Sequence, residues 1–159
     1  MQSKLLLGAA TVFMAVIVSA CGGTTPSATA PSPSPTPVTT TVKLSAMTNA
    51  KLGQILTDGN KTVYLFMGDT DKDSTCYSYC VQFWPPVLTA GPPLAGAGAK
   101  GSLVGTTART DGTTQVTYAG HPLYYFYLDS AGEANGQGID GFGGLWWAVS
   151  PSGKAITIK

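Results

Sequence analysis

Short runs of β-branched and aromatic residues, separated by turn-forming residues, dominate the chain from residue 42 onward. The runs are bounded by Gly, Pro, Asn and Asp, which is the pattern typical of β-strands. They read TVYLF, TTQVTY, PLYYFYL, LWWAV and KAITIK. The turns TDGN, TDGT and SPSG suit antiparallel neighbours, and no amphipathic helix pattern occurs in this part of the sequence. The pattern predicts an all-β domain, either an antiparallel β-sandwich or a barrel-like sheet.

The domain contains an internal duplication. VYLFMGD at 63–69 aligns with LYYFYLD at 123–129, so that both copies read Y-x-F-x-x-D. Thr-Asp-Gly precedes each copy, and a tryptophan segment, FWPPV or LWWAV, follows it. Three matches in the same order indicate a duplicated supersecondary unit. We predict two halves, at about 52–90 and 102–153, that pack on each other, with GPPLAGAGAKG and SAGEANGQGIDGFGG as loops.

The N-terminal segment has a different composition. A continuous apolar run, Leu5–Val18, is long enough for the core of a signal peptide but too short to span a membrane. It leads into VSAC, which resembles the bacterial lipobox, so we predict a lipoprotein signal peptide over 1–20 and lipidation at Cys21. Residues 21–41 are almost only Gly, Thr, Pro, Ser and Ala after the cysteine, a composition that cannot bury a core. They are predicted to tether a β domain at 42–159.

Taken together, these features resemble the bacterial secreted-repeat lipoproteins marked by a Y-x-[FWY]-x-x-D motif, a family whose biochemical role is undefined. The residues that carry the resemblance are Tyr64, Phe66, Asp69, Cys76, Cys80 and Trp84-Pro85-Pro86 in the first half, and Asp111-Gly112, Gln115, Pro122-Leu123-Tyr124, Phe126, Asp129 and Trp146 in the second. The resemblance implies location and architecture, and it supplies no catalytic residues. With the lipobox, it predicts a protein anchored by lipid to the bacterial cell membrane and facing the extracytoplasmic side.

The duplication also bears on catalysis, because a residue present in both halves does one structural job twice, whereas a single active site breaks the symmetry. We therefore interpret the paired motif residues and tryptophans as structural: Tyr64, Phe66, Asp69, Trp84, Tyr124, Phe126, Asp129 and Trp146. On a strand, the Tyr and Phe point to one face and can form core, while the Asp just beyond it can accept backbone N–H bonds in the next turn. No catalytic residue is assigned, and the protein is predicted not to be an enzyme.

Cys76 and Cys80 admit three interpretations. An exported chain meets oxidising conditions, and with Cys21 lipidated only these two thiols remain, which favours a disulfide. Regular helical spacing would hold their Cβ atoms too far apart, so this hypothesis requires a tight irregular turn. The alternatives are free thiols, or an envelope copper-binding or thiol-redox protein that uses both cysteines with His121 and with Met67 as an extra soft ligand. The disulfide implies no cofactor, whereas the last alternative implies copper.

Charge excludes one class of partner. Nine Lys and Arg balance eight Asp and Glu without a basic run, so no nucleic-acid footprint is present. The expected partners are the membrane, through the lipid anchor, and an envelope protein or glycan. In LYYFYL, Tyr125 and Tyr127 point away from the motif face. Either the chain covers this second apolar face, or these tyrosines and Trp147 form an aromatic platform for a sugar ring or a protein surface. The sequence thus predicts a surface-tethered binding or structural module.

Overall fold

The computed structural model describes residues 41–70 and 72–158. The predicted signal peptide, Cys21 and the predicted tether as far as residue 40 lie outside the described residues. Within the described part, no helix combines the length and the apolar character needed to cross a membrane. The described residues form the domain that the strand pattern predicts.

Short strands and a single α-helical turn make up the described domain, which is all-β as predicted. The first half contains β1 (Lys43–Asn49), β2 (Gly53–Asp58), β3 (Lys61–Thr62) and β4 (Tyr64–Phe66). The first half also contains α1 (Cys80–Phe83), and the connecting segment contains β5 (Leu94–Ala95) and a 3-10 turn at Gly101–Leu103. The second half contains β6 (Val104–Ala108), β7 (Thr114–Tyr118), β8 (His121–Pro122), β9 (Asp140–Gly141) and β10 (Gly144–Ala148).

The strands form three small sheets, in the orders β3-β2-β1-β5, β4-β10-β9 and β6-β7-β8, and no closed barrel forms from the described residues. All pairings are antiparallel except that of β1 with β5. The first three strands of each half, β1-β2-β3 and β6-β7-β8, are both antiparallel meanders. The topology therefore shows the duplicated halves that the sequence predicts.

Each half completes the backbone pairing of the other. In the first half, the Leu56 N–H donates to Val149 O at 2.7 Å, and at the equivalent place in the second half the Val116 N–H donates to Val87 O at 2.8 Å. Strand β4 of the first half pairs with β10 of the second. Buried backbone groups need partners. Because the tryptophan segment of each half supplies partners to the other half, the two halves must fold together.

The core lies on both sides of β4. Tyr64 and Phe66 lie in one buried cluster, whereas Leu65, between them on the strand, lies in a second cluster with Leu123 and Trp147. This alternation follows from the period of two along a strand. Of the two alternatives for the second apolar face, the structure shows the first: the chain itself covers it.

Some strand predictions were wrong. Only Pro122 of PLYYFYL lies in a strand, at the end of β8, because Tyr124 forms single bridges with both Tyr64 and Pro86 where the halves cross, instead of extending one ladder. KAITIK forms only an isolated bridge between Ala155 and Val149. The Gly-rich segments predicted to be loops contain β5 and β9. Strands β1, β2 and β6 were missed, because their mixed apolar and polar residues give a weak strand pattern that tertiary pairing stabilises.

Candidate functional site

The two motif copies are joined by hydrogen bonds that cross between the halves. The Tyr64 hydroxyl donates to the carboxylate of Asp129. In the same way, the Tyr124 hydroxyl donates to Asp69 Oδ2 at 2.8 Å. Burial raises the pKa of both tyrosine hydroxyls. It also raises the pKa of both carboxyl groups above the usual range. The Tyr of each repeat therefore holds the Asp of the other repeat in a partly desolvated pair.

Each motif Asp also organises the turn that follows it. Asp69 Oδ1 accepts the N–H of Thr75 at 2.8 Å, and Asp129 Oδ1 accepts the N–H of Asn135 at 2.7 Å. Both bonds reach the same distance along the chain, and both are the side-chain to backbone bonds that the motif pattern suggests. The equivalent carboxylates therefore do the same structural job in the two halves.

Four aromatic rings in the first core cluster, three of them stacked, join the halves. Phe66 stacks on Trp146 with ring centroids 4.0 Å apart, and Trp146 stacks on Trp84, also at 4.0 Å. Phe126 packs against Trp84 at 4.5 Å, with its ring tilted by 37°. The phenylalanine of each motif copy thus contacts the tryptophan of the other half. All eight residues interpreted as structural lie in this cluster or in the Tyr–Asp pairs beside it.

A buried arginine breaks the symmetry of the halves, and the sequence analysis missed it. The Arg109 guanidinium donates to Ser74 Oγ at 2.7 Å, to Gln115 Oε1 at 2.6 Å and to Cys76 O at 2.9 Å. It also pairs with Asp111 at 3.1 Å. Charged side chains are rarely buried unless they are paired in this way. The two Thr-Asp-Gly turns are not equivalent, because the turn at 57–59 joins β2 to β3 and the turn at 110–112 joins β6 to β7, so aligning them in sequence did not mark this arginine as different.

The predicted disulfide between Cys76 and Cys80 is confirmed. The two Cα atoms lie 5.4 Å apart, and Ser78 between them has a φ of 52°, which gives the tight irregular turn that the pairing requires. Helix α1 begins at Cys80 itself. Both cysteines are buried, at 1% and 6% exposed. The disulfide therefore fixes the start of α1 and is shielded from attack by external thiols.

The residues of the copper alternative are not brought together as a site. His121 and Met67 are both exposed. Within residues 41–70 and 72–158, no group of three or more His, Cys, Asp and Glu side chains is placed to hold a metal ion. A soft metal binds thiolates, whereas both cysteine sulfurs are in the disulfide. Copper binding would require reduction of a buried bond first.

The platform proposed for Tyr125, Tyr127 and Trp147 does not form, and its inclusion of Trp147 was wrong. Trp147 is 5% exposed and lies in the second core cluster, because β10 is covered on both faces. Tyr125 is half-buried, and its hydroxyl donates to Asp58 Oδ2 at 2.7 Å. Burial raises the pKa of this hydroxyl. Only Tyr127, at 50% exposed, lies at the surface.

Tyr127 instead belongs to an aromatic cluster that the sequence analysis did not predict. Phe83 is its centre, with the rings of Tyr79 and Tyr127 each 5.0 Å away and that of Phe142 at 5.9 Å. Tyr79 and Phe142 are 62% and 46% exposed. We call these four residues the exposed aromatic cluster. One signal for it was the spacing of Tyr79 and Phe83, which places them on one side of a helical turn.

A groove of about 920 Å³ opens between the β1–β2 turn and the loop at 132–137. Its charged lining residues, Lys51 and Glu133, are both exposed. The Glu133 carboxylate accepts the N–H of Ser130 at 2.9 Å, and this bond lowers the pKa of its carboxyl group. The groove is a solvated surface feature, and the charged groups lining it are in water.

The fold, and the hydrogen bonds between its two motif copies, define a class of protein: an all-β domain made of two interlocked copies of one unit. A family model described as a secreted repeat of unknown function matches the chain twice, at residues 46–88 and 105–150. The protein belongs to this family, which indicates an extracellular protein. No significant match was found among curated proteins or among solved structures.

Proposed function

We propose that the protein is a lipid-anchored, non-enzymatic binding or structural module of the bacterial cell envelope. The lipobox-like VSAC after the apolar run supports acylation of Cys21. Acyl chains contribute about 0.8 kcal/mol per buried methylene, so two or three of them would hold the protein durably on a bilayer. The Pro-rich segment after Cys21 would then carry the β domain clear of the membrane surface.

One observation supports the non-enzymatic role: the Tyr and Asp side chains of both motif copies are hydrogen-bonded to one another inside the fold. Tyr64 and Tyr124 are fully buried, and each hydroxyl is bonded to the Asp of the other repeat. A catalytic acid or base must reach its substrate. The motif groups that recur in the chain instead form hydrogen bonds with one another, as structural residues do.

The exposed aromatic cluster supports the binding role. Aromatic side chains concentrate at binding surfaces, because they bury a large area and lose few torsional degrees of freedom. Here Phe83 lies three residues beyond the disulfide-bonded Cys80, and its carbonyl accepts the N–H of Tyr127 at 3.0 Å. The cluster is therefore presented by a backbone that is held in place before any partner arrives.

Metabolic labelling with a fatty-acid analogue tests the anchor. Wild-type protein produced in a bacterial host should carry the label and fractionate with membranes. The Cys21→Ser variant should lose the label, because serine cannot form the thioether, and should lose membrane attachment. Thr24→Ser, an equally small change in the same segment, is the matched control and should behave as wild type. Membrane retention and labelling of Cys21→Ser would refute the anchoring.

A further inference from the structure

We propose that the exposed aromatic cluster docks on the lipid–water interface of the bilayer that carries the anchor. The inference rests on the proposed function, since the acyl anchor is what keeps the domain near that bilayer. Four features of the described residues support it: the unpaired tyrosine hydroxyls of the cluster, the left-handed backbone at one of its residues, the angles between its rings, and its lack of charge.

The tyrosines of the cluster differ from the other tyrosines of the chain. The hydroxyls of the other five are all hydrogen-bonded within the domain: Tyr64, Tyr77, Tyr118, Tyr124 and Tyr125. Tyr79 and Tyr127 have no such bond within the described residues, and both are at least half exposed. A tyrosine with an apolar ring and a free polar tip suits the boundary between acyl chains and headgroups.

The backbone holds one of the cluster residues in a strained conformation. Phe142 lies in the turn between β9 and β10 with a φ of 58°, where Asn or Gly is preferred and a bulky residue is unusual. Its ring is nevertheless 46% exposed, so this conformation gains little from core packing. Backbone strain of this kind concentrates at functional sites.

The ring geometry argues against a sugar platform. The planes of Tyr79 and Tyr127 lie at 69° and 81° to that of Phe83, so these rings meet edge to face and offer no continuous flat strip. Stacking on a glycan chain would need such a strip. Entry into a lipid headgroup layer needs only apolar area with polar tips.

The side chains that form the cluster are themselves uncharged. The cluster contains only Tyr and Phe, and helix α1, which carries Phe83, is CVQF without a charged residue. Leu128, next to Tyr127, is 58% exposed and adds apolar surface. A predicted tether of about 20 residues, at about 3.1 Å each, would keep the domain within about 60 Å of its anchor. At such a short range the effective concentration of membrane is high, so weak docking suffices.

Vesicle sedimentation tests the proposal without the acyl anchor. The probe is unilamellar vesicles of phosphatidylethanolamine and phosphatidylglycerol, and the protein is the mature chain from residue 21 carrying Cys21→Ser. This chain should partition onto the vesicles, and adding Tyr79→Ser and Phe142→Asn should lower the partition coefficient about tenfold or more, because two exposed rings are lost. Asn suits the positive φ at 142, so the variant should fold at least as well.

Leu94→Ser provides the matched control, because Leu94 is an equally exposed apolar residue, at 52%, outside the cluster. It should leave partitioning unchanged. Equal binding by the cluster variant, or no binding of the cluster-intact chain to vesicles, would overturn the proposal. So would cluster-dependent binding to cell-wall glycan or to an envelope protein in place of lipid. Because no acyl chain takes part in this assay, its failure is distinct from failure of the fatty-acid labelling.

Discussion

Removing the hydroxyl of Tyr124 tests the hydrogen bonds that join the two halves. Tyr124→Phe keeps the buried ring, which packs edge to face on Trp146 at 5.1 Å. It removes the donor that reaches Asp69 Oδ2 at 2.8 Å and Oδ1 at 3.1 Å. Asp69 retains the N–H of Thr75, and Ser74 retains Arg109 as a donor. The change thus removes the hydrogen bond to the Asp69 carboxylate and also the 2.7 Å bond between the hydroxyls of Tyr124 and Ser74.

The expected loss is dominated by the bond to the Asp69 carboxylate, because the bond between the two hydroxyls is neutral. A hydrogen bond to a charged group contributes about 1.5–3 kcal/mol, and the partial burial of Asp69 places this one near the middle of the range. We therefore expect Tyr124→Phe to lower the free energy of unfolding by about 2 kcal/mol. That corresponds to about 30-fold in the folding equilibrium, and to about 8 °C in Tm for a domain of this size. Urea titration followed by tryptophan fluorescence measures it.

A double-mutant cycle shows whether the bond crosses between the repeats. Tyr124→Phe combined with Asp69→Asn should show a coupling of about 1 kcal/mol, because the two changes remove the same charged hydrogen bond. Tyr64→Phe combined with Asp69→Asn pairs residues of one repeat and is the matched control, which should be additive within about 0.5 kcal/mol. If the control pair is coupled and the pair Tyr124→Phe with Asp69→Asn is additive, the idea that the hydrogen bond crosses between the repeats is refuted.

Two further predictions concern the ionisable groups of the core. Arg109→Lys should lower the free energy of unfolding by about 3 kcal/mol in the same urea titration. The reason is that an ammonium group cannot reproduce the forked hydrogen bonds to Ser74, Gln115 and the Cys76 carbonyl. A loss within error of zero would contradict the role given to these bonds. Burial raises the folded-state pKa of Asp129, so its contribution to stability is present below the unfolded pKa and is lost as pH rises through the folded pKa. The stability of wild type relative to Asp129→Asn should therefore fall as pH rises across that window, and a difference independent of pH would count against the assignment.

The interlocked repeats explain why a short domain of small sheets can be stable. The longest strand described has seven residues, and several have two. Isolated hairpins of this size are marginal in water. The stacked rings of Trp84 and Trp146, and the Tyr–Asp pairs on either side, join the halves into one core. Stability therefore depends on contacts that neither repeat can make alone.

Local sequence determined the class of the fold and the structural role of the motif. β-Branched and aromatic runs between turn residues predicted an all-β domain, and the repeated Y-x-F-x-x-D predicted duplicated halves. The period of two along a strand placed Tyr64 and Phe66 on one core face. The export context left Cys76 and Cys80 to pair. These properties depend on residue type and short spacing, so they are visible without knowing what lies nearby in space.

Only the tertiary structure determined which half each motif residue contacts. A motif tyrosine and aspartate lie close in sequence, yet Tyr64 is bonded to Asp129, because the halves exchange their pairing segments. The same exchange covers both faces of β10, which buries Trp147 and removes the platform that periodicity suggested. The exposed aromatic cluster gathers residues from α1, the segment after β8 and the turn before β10. Sequence pattern reports neighbours along the chain, whereas these contacts depend on loops that bring distant segments together at angles no local propensity encodes.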